Sequence, residues 1–413
     1  MAKRGKRRAA VRRPIEYSIL YTATLCLLAF GAVMVYSASS AESLLTGPGD
    51  AAYYLKRYLI FGGLGLVAMH LASRHGLKLI KALTPLLLIG SFGLCVAVML
   101  PGVGVTVNGA TRWIGAGALQ FQPSELLKLA LVLYAAQVLA ARPRATKTLP
   151  GLIKPLLLVV GAAFLLLLKQ PDMGTAMVIC FAIGALLVAA GVPIRHLALI
   201  GGTLAFLAMI LALAEPYRRE RLMSFLDPFA DAGDTGFQAV QALTAIGSGG
   251  FFGVGLGESV QKIFYLPEAH TDFILAIIGE ELGVAGVMVV LFLYGLVAYA
   301  GLRVAKAAKG AYAKLLAAGI TSLILSQACL NVFAVLGLAP LTGVPLPFIS
   351  YGATNLTVLL AAMGLLLNVA AGGTAHLRVV AGSRRHGADN RDRRGRNSGA
   401  RGASAGRRRR AAG

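Results

Sequence analysis

The densest reactive chemistry in this chain is the segment Lys262-Ile-Phe-Tyr-Leu-Pro-Glu268-Ala-His270-Thr271-Asp272-Phe273, which runs directly into an apolar stretch. Asp272 has two readings there. As a helix N-cap it would satisfy orphan amide groups. As a general base it would sit partly desolvated at a membrane edge. Glu268, His270 and Asp272 could also meet a divalent cation, although one short loop offers no fourth ligand. Glu280 and Glu281 follow about two turns deeper and add acidity inside an apolar run.

Four other groupings carry chemistry. In Gln122-Pro-Ser-Glu125-Leu-Leu-Lys128, proline suits a first helical turn, and Glu125 and Lys128 share one face at i, i+3. They form either a self-neutralising pair that tolerates burial or a charged wall of a hydrophilic cavity. Lys169-Gln-Pro-Asp172-Met-Gly-Thr175 reads as a polar corner with Asp172 near a helix start. Arg112 precedes Trp113, the only tryptophan, whose default role is an interfacial anchor. Tyr217-Arg218-Arg219-Glu-Arg221 gathers guanidinium groups that suit phosphate oxygens or lipid headgroups. The glycine-dense stretch Ala245 to Gly257 lacks the phosphate-loop lysine pattern and reads as a flexible or re-entrant segment at the bilayer surface.

The elements that must position these groups are membrane helices. The chain has 413 residues, is 57% hydrophobic and only 14% charged, with mean hydropathy +0.73. Leu20 to Val35, Pro85 to Leu100, Leu156 to Leu168 and Val284 to Ala300 carry no charge at all. Such runs predict an all-α polytopic membrane protein of about ten helices. Their spans are 16–37, 54–72, 79–100, 123–141, 151–169, 173–190, 194–214, 272–302, 312–335 and 351–371. A large extracytoplasmic loop, 215–271, separates the seventh from the eighth. Three regions follow: a basic disordered cytoplasmic tail over 1–14, a membrane domain over 15–372, and an Arg/Gly-rich disordered cytoplasmic tail over 373–413.

The net charge of +23 concentrates in these tails and in every second connection, as the positive-inside rule asks with both termini in the cytoplasm. No nucleic-acid fold or aromatic platform accompanies it, so nucleic acid is not an expected partner. The first apolar stretch reads as a retained helix, not a cleaved leader. Cys26, Cys95, Cys180 and Cys329 all fall in apolar stretches and read as small core residues, not disulfide or metal partners.

Over residues 15–372 the chain resembles the SEDS proteins, the FtsW/RodA/SpoVE group, with the FtsW-like branch favoured. The resemblance rests on Val33-Met-Val-Tyr-Ser-Ala-Ser39, Gly109-Ala-Thr-Arg-Trp-Ile114, Gln122 to Lys128, Gln170 to Thr175 and Arg221 to Phe229. It continues through Ala245 to Gly250, Gly255 to Lys262, Tyr265 to Gly283, and Pro340 to Gly352. It implies a peptidoglycan glycosyltransferase that polymerises lipid II at the outer face of the bacterial cytoplasmic membrane, in septal wall synthesis. A class B penicillin-binding protein and other division proteins would be its partners.

The family's catalytic aspartate maps onto Asp272 and its polar cavity onto Glu125 and Lys128. Arg218, Arg221, Lys262 or Lys128 would meet the departing pyrophosphate. Arg112, Trp113, Glu268, His270, Thr271, Glu280, Ser350 and Tyr351 complete the expected substrate-binding set. No cofactor is implied with certainty, and a divalent cation stays open. A lipid II flippase and a non-catalytic scaffold are the rival readings. The chain departs from the family pattern in Ser350-Tyr-Gly-Ala-Thr-Asn355, where Ala353 and Asn355 replace smaller residues at the start of the last helix.

Overall fold

The computed structural model describes residues 14–45, 49–107, 110–116, 119–144, 147–214, 219, 223–230, 233, 236–263 and 265–372. Both basic tails, Arg218 and Arg221 lie outside the described residues. The chain runs α1 (Ile15–Leu45), α2 (Tyr53–Arg74), α3 (Leu77–Val98), a small sheet, then α4 (Pro123–Ala141) and α5 (Leu149–Lys169). It continues through α6 (Met173–Ala189), α7 (Ile194–Ala214), α8 (Phe237–Ser248), α9 (Ile274–Ala307), α10 (Ala311–Val335) and α11 (Ala353–Ala370). Eight of these are long and apolar enough to cross a bilayer, while α6 and the described part of α7 are apolar but shorter. Helices are the form such sequence must take, because hydrocarbon offers no partner to a free backbone amide or carbonyl. Large apolar side chains, including Leu64 and Val67 on α2, Leu86 and Ile89 on α3 and Phe292 on α9, stand exposed on the outer surface. This is an integral membrane protein.

The interior is built around α4, α10 and α11. The most apolar stretch of α10 is 78% buried and that of α11 is 83% buried, against 22% in α2 and 17% in α3. Helix α11 packs on α2, α1 packs on α9, and α10 packs on α4, α6 and α9.

Three features differ from the sequence expectation. The connection 101–122 carries a three-stranded antiparallel sheet: β1 (Gly104–Val107), β2 (Ala110–Ala116) and β3 (Leu119–Phe121). Its strands are too short to register against the surrounding apolar runs. Helix α1 continues to Leu45, beyond the expected end at 37, because its polar Ser-Ala-Ser-Ser turn is buried, with Ser37 hydrogen bonded to Glu281 of α9. Helix α9 breaks at Gly283, whose φ of 66° and ψ of −165° are non-helical. The glycine-dense stretch fits against that break through backbone hydrogen bonds of residues 250–255.

Candidate active site

Asp272 lies one residue before the N-cap of α9, which falls on Phe273 and has no side-chain capping bond. The capping reading of Asp272 is therefore displaced by one residue. The Thr271 hydroxyl approaches Asp272 Oδ1 at 3.1 Å and the Glu268 carbonyl at 3.0 Å. Glu268 itself takes a φ of 58°, which only a strongly determined turn imposes on a residue with a side chain.

A loop over residues 341–352 roofs this turn. Four of its carbonyls accept hydrogen bonds from buried side chains of three helices. Asn331 of α10 donates to Val344 at 2.8 Å, Gln327 of α10 to Pro345 at 2.9 Å, and Tyr58 of α2 to Phe348 at 2.5 Å. Tyr294 of α9 donates to Pro347. Asn331 also donates to the Asp272 carbonyl at 2.7 Å, so one amide joins the roof to the acidic turn. Gly343, with a φ of +65°, leaves room beside the carboxylate: a methyl group there would lie 3.8 Å from Asp272 Oδ2. Ser350 accepts from the Leu346 amide at 2.8 Å and so shapes the roof.

His270 is buried, its ring 4.1 Å from that of Tyr54 and 5.7 Å from that of Tyr351. Its carbonyl accepts from the Tyr351 amide at 3.0 Å. Burial pushes the imidazole down to about 4, opposed by the nearby charge of Glu268. The ring is therefore neutral at physiological pH, and its 3.6 Å approach to Glu42 is not an ion pair there.

Beneath the roof, Glu125 and Lys128 pair at 2.9 Å with side chains 3% and 2% exposed. Lys128 donates to Gln327 at 2.9 Å, and Asn355 donates to Glu125 at 2.7 Å. Asn355, the departure noted in the sequence, is thus a direct partner of the charge pair. Gln327 binds the pair through its carbonyl and the roof through its amide, linking Lys128 to the loop above Asp272.

Asp172 caps α6, accepting from the Thr175 amide at 3.2 Å as well as from Ser124 at 3.0 Å and Gln122 at 3.3 Å. Arg112 of β2 donates to the carbonyls of Gln170 and Pro171 in the same corner. Gly174 presses on the roof so closely that a methyl group would come within 2.3 Å of the Thr342 carbonyl.

Four members of the expected substrate-binding set have partners within the protein itself. All three ammonium hydrogens of Lys262 are used internally, on Glu281 at 2.7 Å, the Gly257 carbonyl at 2.7 Å and Ser37 at 3.3 Å. Glu280 accepts from Ser259 at 2.5 Å and from the amides of Val260 and Gln261 at 3.0 and 3.4 Å. Both residues bind the protein's own loop in this structure. Arg112 is held by backbone carbonyls, and Trp113 pairs with Val105 in the sheet.

Three residues escaped the sequence reading. Gln327 and Asn331 stood as isolated amides four apart in an apolar run, a signal of one polar helix face. Arg57 was hidden in the basic start of α2; its guanidinium lies 5.4 Å from the Tyr53 ring centre and 5.7 Å from that of Tyr351. Among the described residues no group of three or more His, Cys, Asp or Glu side chains is placed to hold a metal ion.

The family model described as "Cell cycle protein" for FtsW, RodA and SpoVE matches residues 18–374. The chain belongs to the FtsW/RodA/SpoVE family. It is 46% identical over 357 residues to the probable peptidoglycan glycosyltransferase FtsW of Thioalkalivibrio sulfidiphilus, covering 85% of this chain and 88% of that protein. It is 40% identical over 353 residues to stage V sporulation protein E of Bacillus subtilis, covering 85% and 96%.

Among solved structures, one showing the structural coordination of polymerization and crosslinking by a peptidoglycan synthase complex superposes with a TM-score of 0.72 at 32% identity. It covers 87% of this chain and 98% of that one. Rod shape determining protein RodA of Thermus thermophilus superposes with a TM-score of 0.62 at 30% identity, covering 85% and 95%. In this FtsW/RodA/SpoVE protein, then, the acidic turn, the roof and the buried pair form one hydrogen-bonded assembly in which a carboxylate could take a proton.

Proposed function

We propose that this chain is a peptidoglycan glycosyltransferase that polymerises lipid II at the outer membrane face, with Asp272 as its general base. The observation that supports the base assignment is the tie from Asn331 to both the Asp272 carbonyl and the roof, which fixes the acidic turn beside the open flank left by Gly343. The acceptor's GlcNAc 4-hydroxyl attacks the anomeric carbon of the donor MurNAc. Asp272 removes the hydroxyl proton as the C–O bond forms, and undecaprenyl pyrophosphate leaves with the bonding electrons. Single displacement inverts the anomeric centre. A positioned base contributes about 10²–10⁴ in rate to such a step.

Charge for the departing pyrophosphate comes from Lys128, two of whose hydrogens are engaged by Glu125 and Gln327, together with Arg218 and Arg221. Glu268, His270, Thr271 and Tyr351, which belong to the Asp272 turn or bond to it, are the further substrate contacts in this reading. Arg74, Lys78, Arg142, Arg144, Lys306 and Lys309 lie at the helix ends opposite the one that carries Asp272, which supports a cytoplasmic location for both termini. A class B penicillin-binding protein is the proposed partner and the division septum the proposed site of action. The similarity to a synthase complex and to FtsW proteins supports both.

The test uses purified protein with its transpeptidase partner and lipid II. Asp272→Asn is expected to lower glycan formation by about 10²–10⁴ while the melting temperature stays within a few degrees. Normal polymerisation by that variant would overturn the base assignment.

A further inference from the structure

The acidic turn is attached to a detached piece of helix. Residues 274–282 are helical, but Gly283 breaks the ladder before the remaining turns of α9. The loop over 249–255 closes the break with its own backbone. Val254 and Gly255 donate to the carbonyls of Glu280 and Glu281 at 2.9 and 3.1 Å. Val284 and Ala285 donate back to Gly250 and Phe251 at 3.0 and 3.1 Å. The short helix that begins beside Asp272 is therefore held by the loop as well as by its own continuation.

At the same place lies a buried charge pair that the proposed chemistry does not use. Lys262 and Glu281 meet at 2.7 Å with side chains 5% and 0% exposed. Ser37 Oγ lies 2.7 Å from each Glu281 carboxylate oxygen, and Lys262 also reaches the Gly257 carbonyl. The pair joins the loop, α1 and the short helix at a single point.

We propose that Lys262 and Glu281, assisted by Ser37, are positioning residues whose charge pair sets the orientation of the 274–282 helix and so of the Asp272 carboxylate. This inference rests on the glycosyltransferase reading above. Removing one partner strands a charge in a dry site, which is relieved only by hydration and separation of the loop from the short helix. Replacing both by apolar side chains strands no charge and leaves only two neutral groups, the Ser37 hydroxyl and the Gly257 carbonyl, without these partners. A displacement of about 1 Å at a catalytic group can cost about 10²-fold in rate.

The experiment uses the full chain in nanodiscs with its transpeptidase partner and purified lipid II. It compares Lys262→Met, Glu281→Gln and the double variant Lys262→Met/Glu281→Leu. Each single change is expected to lower kcat by about 10–100-fold with KM held within about twofold, and the double variant to return within about threefold of the parent. Amide hydrogen exchange over 274–282 is expected to rise in the single variants and fall back in the double. That readout does not depend on activity.

A raised KM in Lys262→Met that the double variant does not restore would make Lys262 a substrate-binding lysine and overturn the proposal. Unchanged kcat in both single variants would overturn it as well. A parent protein that forms no glycan strand defeats the glycosyltransferase reading, and the exchange measurement still decides what the pair holds.

Discussion

His270 shows how position alters the chemistry of a side chain. In the sequence it is a candidate for substrate or cation contact; in the fold it is a neutral ring packed between Tyr54 and Tyr351. Its folded pKa of about 4 lies below the ordinary value, with burial as the main cause. The sign follows from that. Folding resists protonation of this ring, so its contribution is complete above about pH 6.5 and is lost as the pH falls from there toward 4. The melting temperature in nanodiscs should drop over that window, and His270→Gln should flatten the drop. An unaltered pH profile in the variant would show that other groups control the acid limb. Glu42, Glu268 and Arg57 face the same cluster and belong in the control set.

Among the elements, α9 carries the most consequence. Its apolar run, Val284 to Ala300, is legible from composition and is helical throughout, beyond the break at Gly283. The break at Gly283 is legible only in part, because the sequence offers glycine but not the backbone it must accommodate. A Cβ at Gly283 would lie 2.5 Å from the Gly253 nitrogen and from the Phe251 carbonyl oxygen, at a φ of +66°. Gly253 is equally tight, with a Cβ 2.1 Å from the Glu281 carbonyl oxygen. Gly283→Ala is therefore expected to lower stability by about 1–3 kcal/mol from backbone strain alone. It should also cost more than about tenfold in polymerisation as the short helix shifts. Thermal unfolding and lipid II turnover on the same sample test this, and Gly90→Ala on α3, where a Cβ meets nothing within 4 Å, is the control.

Across the whole molecule, the buried polar groups connect helices remote in the chain. Glu125 and Lys128 belong to α4, Gln327 to α10 and Asn355 to α11, and three contacts of 2.7 to 2.9 Å tie them together. Glu125→Ala leaves the ammonium of Lys128 buried without its carboxylate, which typically costs about 3–5 kcal/mol. Glu125→Leu/Lys128→Met removes both charges and should recover most of that loss in thermal unfolding, though not the activity if Lys128 meets the pyrophosphate. Equal destabilisation by the single and double variants would mean that the packing around the pair, and not its charge, holds these helices together.

The sequence by itself determined that the chain is an integral membrane protein of many helices, because long uncharged runs have no stable alternative to helix in hydrocarbon. It also singled out the acidic turn at Asp272 and the pair at Glu125 and Lys128 as candidates, since charges beside apolar runs are costly. Only the tertiary structure decided which of those charges face one another. Lys262, a candidate phosphate ligand in the sequence, places its ammonium hydrogens on Glu281, Gly257 and Ser37 in the fold. Asn355 looked like a departure until it was found on Glu125. A sequence records the cost of a buried polar group, but its partner arrives from another helix, and hydrogen bonds of fixed length and direction form only once the helices have packed.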